Sequence, residues 1–159
     1  PVACATRFRS HRMHLKGPWE FEWLMEHSVS SVPKTGRVKM PVDWMTTFGM
    51  TSGTVRFRRR FHRPTNLDPD ETVWIVLDGV GGTGSVSVNG TFLGTVHSSE
   101  KPQRFDMTRV LLPASELVIE LEFHPSAENR NLGGLFAPVA IEIVGPSTVE
   151  HKPDRKSVV

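Results

Sequence analysis

Along this chain apolar residues recur at every second position in short runs, and turn-forming residues punctuate the runs. Trp19, Phe21 and Trp23 alternate with Glu20 and Glu22, which predicts a strand with one apolar and one acidic face. Val38 and Met40 make a brief second run, closed by Pro41. Val55, Phe57 and Phe61 alternate with Arg56, Arg58, Arg60 and His62, a strand whose outer face is cationic. Arg59 falls in phase with the apolar positions, so it is expected inside, paired with a carboxylate such as Asp106 or Asp78. Val73 to Leu77 is continuously apolar, the pattern of a strand buried on both faces. Val86 and Val88 lead into Asn89-Gly90, with Phe92 and Leu93 beyond. Asn-Gly between apolar runs predicts a hairpin, because both central residues of a type I′ turn need positive φ. Val118 to Phe123 and Val139 to Val144 complete a set of about eight strands, with a turn every ten residues or so.

No segment sustains a 3.6-residue apolar period, and Met107 to Leu112 allows one short helical turn at most. The expected class is therefore all-β, a jelly-roll β-sandwich of two antiparallel sheets. Residues 15–145 form the domain in this reading. Residues 1–14, polar and basic, form an arm across it, and residues 146–159 form a tail or linker.

Composition narrows the picture. A chain of 159 residues has room for one domain with a proper core. No apolar run approaches the roughly 20 residues of a membrane helix, and neither a membrane nor a nucleic-acid partner is expected. The single cysteine, Cys4, can form neither an internal disulfide nor a zinc site. A net charge of +2 permits acidic partners without demanding them. The chain opens with Pro1 and no leader pattern follows, so it reads as a piece of something longer.

Taken in order, the motifs resemble the N-terminal sugar-binding domain of family 2 glycoside hydrolases, the β-galactosidase and β-glucuronidase group. Leu15-Lys16-Gly17-Pro18-Trp19-Glu20-Phe21 is similar to that family's Leu-Asn-Gly-x-Trp-x-Phe, and Pro41-Val42-Asp43-Trp44 to its Pro-His-Asp-Trp. Gly53 followed by Phe57-Arg58-Arg59-Arg60-Phe61 resembles its Gly then Tyr-Arg-Arg-x-Phe. The central matches are Asp78-Gly79-Val80, Val86-Ser87-Val88-Asn89-Gly90, Leu93-Gly94 and Phe105-Asp106-Met107-Thr108. Gly133-Gly134-Leu135-Phe136-Ala137-Pro138-Val139 resembles the closing Gly-Gly-Ile-x-Arg-x-Val. Two positions depart from the pattern: Ala137 stands where the family has Arg, and Val42 where it has His. The resemblance implies a galactose-binding-like sandwich whose catalytic carboxylates lie in a separate downstream barrel.

Most matching residues also serve the fold. Trp19 and Trp44 deliver apolar area to a core. Asp106 and Thr108 can accept backbone N–H groups and close a turn. Glu128, one residue type away from the family's usual Asp, stands five positions before the closing glycines, where the resemblance implies contact with sugar. Carboxylates accept paired hydroxyl hydrogen bonds, and Asn129, Arg130 and Asn131 add donors; a plain polar rim loop is the simpler alternative. Trp44 could offer an indole face to a sugar ring or be buried. The stretch Met45 to Ser52 is a lip or an apolar plug. His124 and His97 each end a strand-like run, where an imidazole could bond a hydroxyl or simply be solvated.

Catalysis by the chain itself finds no support. Glu128-Asn129 reverses the family's Asn-Glu order, and Glu120 and Glu122 sit on a strand's outer face. No metal or other cofactor is expected: His11 and His14 want a third ligand, and no Asp-rich loop asks for calcium. The run Arg56 to Arg63 could suit nucleic-acid phosphates, yet its alternation is that of a half-buried strand. The reading is a non-catalytic carbohydrate-binding module with tentative contacts Glu128, Asn129, Arg130, Asn131, Trp44 and His124. Its partners are a carbohydrate and further domains of the same hydrolase. The alternative is a spacer or protein-interaction sandwich without a sugar ligand.

Overall fold

The computed structural model of the chain describes residues 7–24, 33–126 and 132–147. Alternating segments become pleated strands, ten of them among the described residues. They are β1 (Arg7–His14), β2 (Trp19–Trp23), β3 (Thr35–Val38), β4 (Gly53–His62) and β5 (Thr72–Leu77), followed by β6 (Thr83–Val88), β7 (Thr91–Val96), β8 (Gln103–Asp106), β9 (Ala114–Phe123) and β10 (Val139–Ser147). One sheet runs β1-β10-β5-β8 and the other β3-β2-β4-β9-β6-β7, with every neighbouring pair antiparallel. The fold is a jelly-roll β-sandwich, as the alternation predicts.

The core lies between the sheets. Trp19, Phe21, Trp23, Val55, Phe57, Val86, Val88, Leu117, Ile119 and Leu121 come from the six-stranded sheet; Val73, Ile75, Leu77, Val139 and Ile141 come from the four-stranded one. Each such side chain contributes roughly 1.5–3 kcal/mol by leaving water. Asn89 and Gly90 take φ of 52° and 82°, the type I′ hairpin that the Asn-Gly pair predicts.

Residues 7–14, expected in a peripheral arm, form an edge strand instead. β1 pairs with β10 over eight positions, from Arg7↔Ser147 to His14↔Ala140. The polar, basic sequence suits an edge, where charge discourages pairing with other chains, and Met13 still packs against the core. β8 was likewise outside the expected set: it holds one apolar residue, Phe105, and forms by pairing with β5. The predicted helical turn is a 3-10 turn, Thr108–Val110. One further helix, α1 (Trp44–Phe48), has no counterpart in the apolar periodicity. Asp43 starts it, accepting from the Met45 amide at 3.2 Å and the Thr46 hydroxyl at 2.8 Å.

Candidate functional site

Glu128, Asn129, Arg130 and Asn131 lie outside the described residues. What is described is the backbone on either side of them, residues 123–126 and 132–135. β9 delivers one end through Phe123 and His124, and Gly133-Gly134 receives the other. The Gly133 carbonyl accepts from the Trp44 amide at 3.0 Å, and Leu135 O from Val42 N at 2.6 Å. Gly81 and Gly134 exchange two backbone hydrogen bonds of 2.9 Å each. A side chain at Gly81 would place its Cβ 1.9 Å from Leu132 O, and one at Gly134 (φ 82°) would reach 2.8 Å from Val42 O. Backbone approaches this close require glycine, so the loop's base is clamped to α1 and to the strand β5 exit.

Trp44 is part of that clamp and not a sugar platform. Its ring is fully buried, its indole N–H donates to Thr51 O at 2.9 Å, and it meets Trp23, Phe48 and Phe123 edge-on at centroid distances of 5.6, 5.1 and 5.4 Å. The expectation that Trp44 contacts carbohydrate is thereby corrected: no indole face is open to a ligand. Phe48 is the plug of the Met45 to Ser52 stretch, whereas Met45 and Met50 are exposed, as is Leu132 beside the glycine pair. Through the Trp44–Gly133 bond the start of this stretch is tied to the glycine pair. Alternation could not have exposed it, since these residues lie between strands. His124 stands exposed at the loop's other end, its Nε2 2.7 Å from the Glu122 carboxylate.

The outer face of the four-stranded sheet carries a closed ionic network. Glu142, nearly buried, is gripped by Arg104 and, at 3.2 Å, by Arg12, which also pairs with Asp78 at 3.1 Å. The Arg104 guanidinium lies 4.7 Å over the Trp74 ring. Burial alone would lower the Arg12 pKa, but the hydrogen bond to Glu142 and the pairing with Asp78 outweigh it, and the pKa is raised. Asp78 is thus committed to Arg12, and Asp106 accepts from the Thr108 amide at 2.9 Å and its hydroxyl at 2.6 Å.

Arg59 therefore pairs with neither Asp106 nor Asp78, contrary to expectation. The β2–β4 ladder ends at Glu20↔Arg58, so Arg59 sits just past the point where its neighbour strand stops. There Arg59 borders an outer cleft together with Pro18, Glu20, Arg37, Arg58, Arg60 and Glu116. Its Nε is buried without a hydrogen-bond partner, while a terminal N–H donates to the Arg60 carbonyl. That cleft has a volume of about 450 Å³. A second, of about 370 Å³, is lined by Glu20, Phe21, Glu22, Thr35, Gly36, Arg37, Arg56 and Arg58. Along this face Arg56 holds Glu120 at 2.9 Å and Glu22 at 3.7 Å, Arg58 holds Glu22 at 3.4 Å, and Arg60 approaches Glu116 at 3.8 Å. Among the described residues, no three His, Cys, Asp or Glu side chains are grouped to hold a metal ion.

No protein-family model matches the sequence, and no curated protein matches it. Solved structures do match by fold. An FMN-binding β-glucuronidase from F. prausnitzii L2-6 superposes with a TM-score of 0.70 at 20% identity, over 84% of this chain and 22% of that one. A rhamnosidase from Novosphingobium sp. PP1Y gives 0.69 at 17% identity, over 86% and 15%. A β-glucuronidase from Ruminococcus gnavus gives 0.67 at 14% identity, over 86% and 28%. The chain thus spans less than a third of each enzyme's length, and it resembles one domain of such glycosidases.

Proposed function

We propose that this chain is a non-catalytic sandwich domain of a larger glycoside hydrolase of the family 2 kind, and that its rim loop Glu128–Asn131 contacts the saccharide. The observation that carries this is the asymmetry of coverage: nearly all of this sandwich superposes on a small part of several glycosidases. The ordered motifs from Leu15 to Val139 point the same way. The carboxylates present favour binding over cleavage. Glu120 is engaged by Arg56, and Glu122 by His124. A carboxylate held by a guanidinium or an imidazole in this way is not poised as the acid or nucleophile that glycoside hydrolysis requires. His124 and Leu132, both exposed and flanking Glu128–Asn131 in sequence, offer one polar and one apolar surface, the mixture a sugar's hydroxyls and C–H faces need. Two measurements test the reading. Extending the reading frame past Val159 should reveal an immunoglobulin-like domain and a barrel. Calorimetric titration of the domain with a galactoside, a glucuronide and a mannoside should show weak binding to at least one, with no hydrolysis of the corresponding nitrophenyl glycosides. Absence of binding to all three sinks the sugar-contact role and leaves a spacer.

A further inference from the structure

The outer face of the six-stranded sheet holds guanidinium groups that its own carboxylates do not satisfy. Arg56, Arg58 and Arg60 are taken up by Glu22, Glu120 and Glu116. Arg37 and Arg59 have no carboxylate partner among the described residues, and Arg59 buries an unpartnered Nε. Both line the larger cleft. The two clefts share Glu20, Arg37 and Arg58, so they join into a single trough across β3, β2 and β4. Each is within the range of about 300–1,000 Å³ common to small-molecule sites.

The lining specifies the ligand's chemistry. Arg37, exposed and without a carboxylate partner, calls for an anion with planar, paired acceptors, since a guanidinium fork matches a carboxylate bidentately; Arg59, whose Nε is buried and one of whose terminal N–H groups is held by the Arg60 carbonyl, adds positive charge beside it. Glu20 and Glu22 in the same trough repel a ligand that is anionic throughout, such as a polyphosphate, and they reward one that brings hydroxyl donors. Pro18 adds an apolar wall where the two strands part. An anionic group attached to a polyol ring satisfies all of these at once. We infer that this trough binds an acidic saccharide, with a uronate carboxylate in the cleft that Arg37 and Arg59 share and ring hydroxyls donating to Glu20 and Glu22. The site is built by β2, β3 and β4 and does not rest on the sugar-contact reading of Glu128–Asn131.

The test is a titration of the 159-residue chain with a galacturonate trisaccharide, read by amide chemical shifts. Shifts should concentrate in β2, β3 and β4, with a Kd on the order of 1 mM, which is about −4 kcal/mol. The uncharged galactose trisaccharide and inorganic sulfate separate the two halves of the claim: each should bind at least about tenfold more weakly. Arg37→Gln and Arg37→Lys should each weaken uronate binding about fivefold or more, the latter because Lys keeps the charge but loses the fork. Arg109→Gln removes the same charge outside the trough and should change the affinity less than about twofold. Shifts in β2, β3 and β4 without shifts at His124, Leu132 or Gly133 separate this site from the loop. Equal binding of the neutral sugar or of sulfate, an Arg109 effect as large as that of Arg37, shifts centred on the loop, or no binding at about 10 mM would each overturn the inference. Arg37 is exposed, so both substitutions there leave the fold intact and report on binding.

Discussion

Replacing Asn89 separates what a hairpin turn requires from what holds it in place. The residue sits at φ 52°, and its side chain also makes three hydrogen bonds away from the turn. Its Nδ2 donates to Val110 O at 2.7 Å and to Ser115 Oγ at 3.1 Å, and its Oδ1 accepts from Glu116 N at 3.0 Å. Asn89→Gly keeps the left-handed backbone accessible and removes all three. At about 1 kcal/mol net for each bond, the expected loss is about 3 kcal/mol. Asn89→Ala loses the same bonds and adds left-handed strain, of order 1–2 kcal/mol. Glycine's greater unfolded-state freedom narrows the gap, so Ala should be lower than Gly by roughly 1 kcal/mol. Urea unfolding followed by fluorescence of the buried tryptophans measures both. With a slope of roughly 2 kcal/mol per molar, the Gly variant's midpoint should fall by about 1.5 M. A midpoint within about 0.3 M of the parent would refute the reasoning, because it would mean that water replaces these bonds at no cost.

Other substitutions probe the clamp and the ionic face. Trp44→Ala should cost about 3–5 kcal/mol in the same unfolding assay, since it empties the centre of an aromatic cluster. Trp44→Phe should cost less yet still more than about 1 kcal/mol, because Thr51 O loses its donor. Glu142→Ala leaves Arg12 and Arg104 facing one another, and about 1–2 kcal/mol should be lost, a figure kept small because both arginines remain partly exposed. Glu142→Gln should recover part of it, and thermal melts at low and high salt should show the deficit shrinking as salt rises.

The sandwich could be read from the chain wherever one face met the core and the other met water. Phe57 and Ile119 point inward while their neighbours Arg56 and Glu120 pair outside, so the period of two translates directly into burial. Where something other than the two faces decides, the pattern misleads. Arg59 keeps the inward phase, but β2 ends beside it, and its guanidinium, with no carboxylate to meet, turns to the neighbouring Arg60 carbonyl. β1 and β8 form because β10 and β5 offer them open edges, a long-range pairing that leaves little trace in their own composition. In α1 the signals were only Asp43 and the four-residue spacing of Trp44 and Phe48, too short a segment to show a helical period. The loop candidates Glu128–Asn131 came from motif order alone. The stereochemistry of Trp44 was ambiguous in sequence for a physical reason: an indole that stacks on sugar and one that fills a core have the same composition, and only its hydrogen bond and neighbours tell them apart.

The pairing of Arg7 with Ser147 has an architectural consequence. The entry to β1 and the exit from β10 therefore share one corner of the sandwich, so the described domain has its two ends side by side and not at opposite poles.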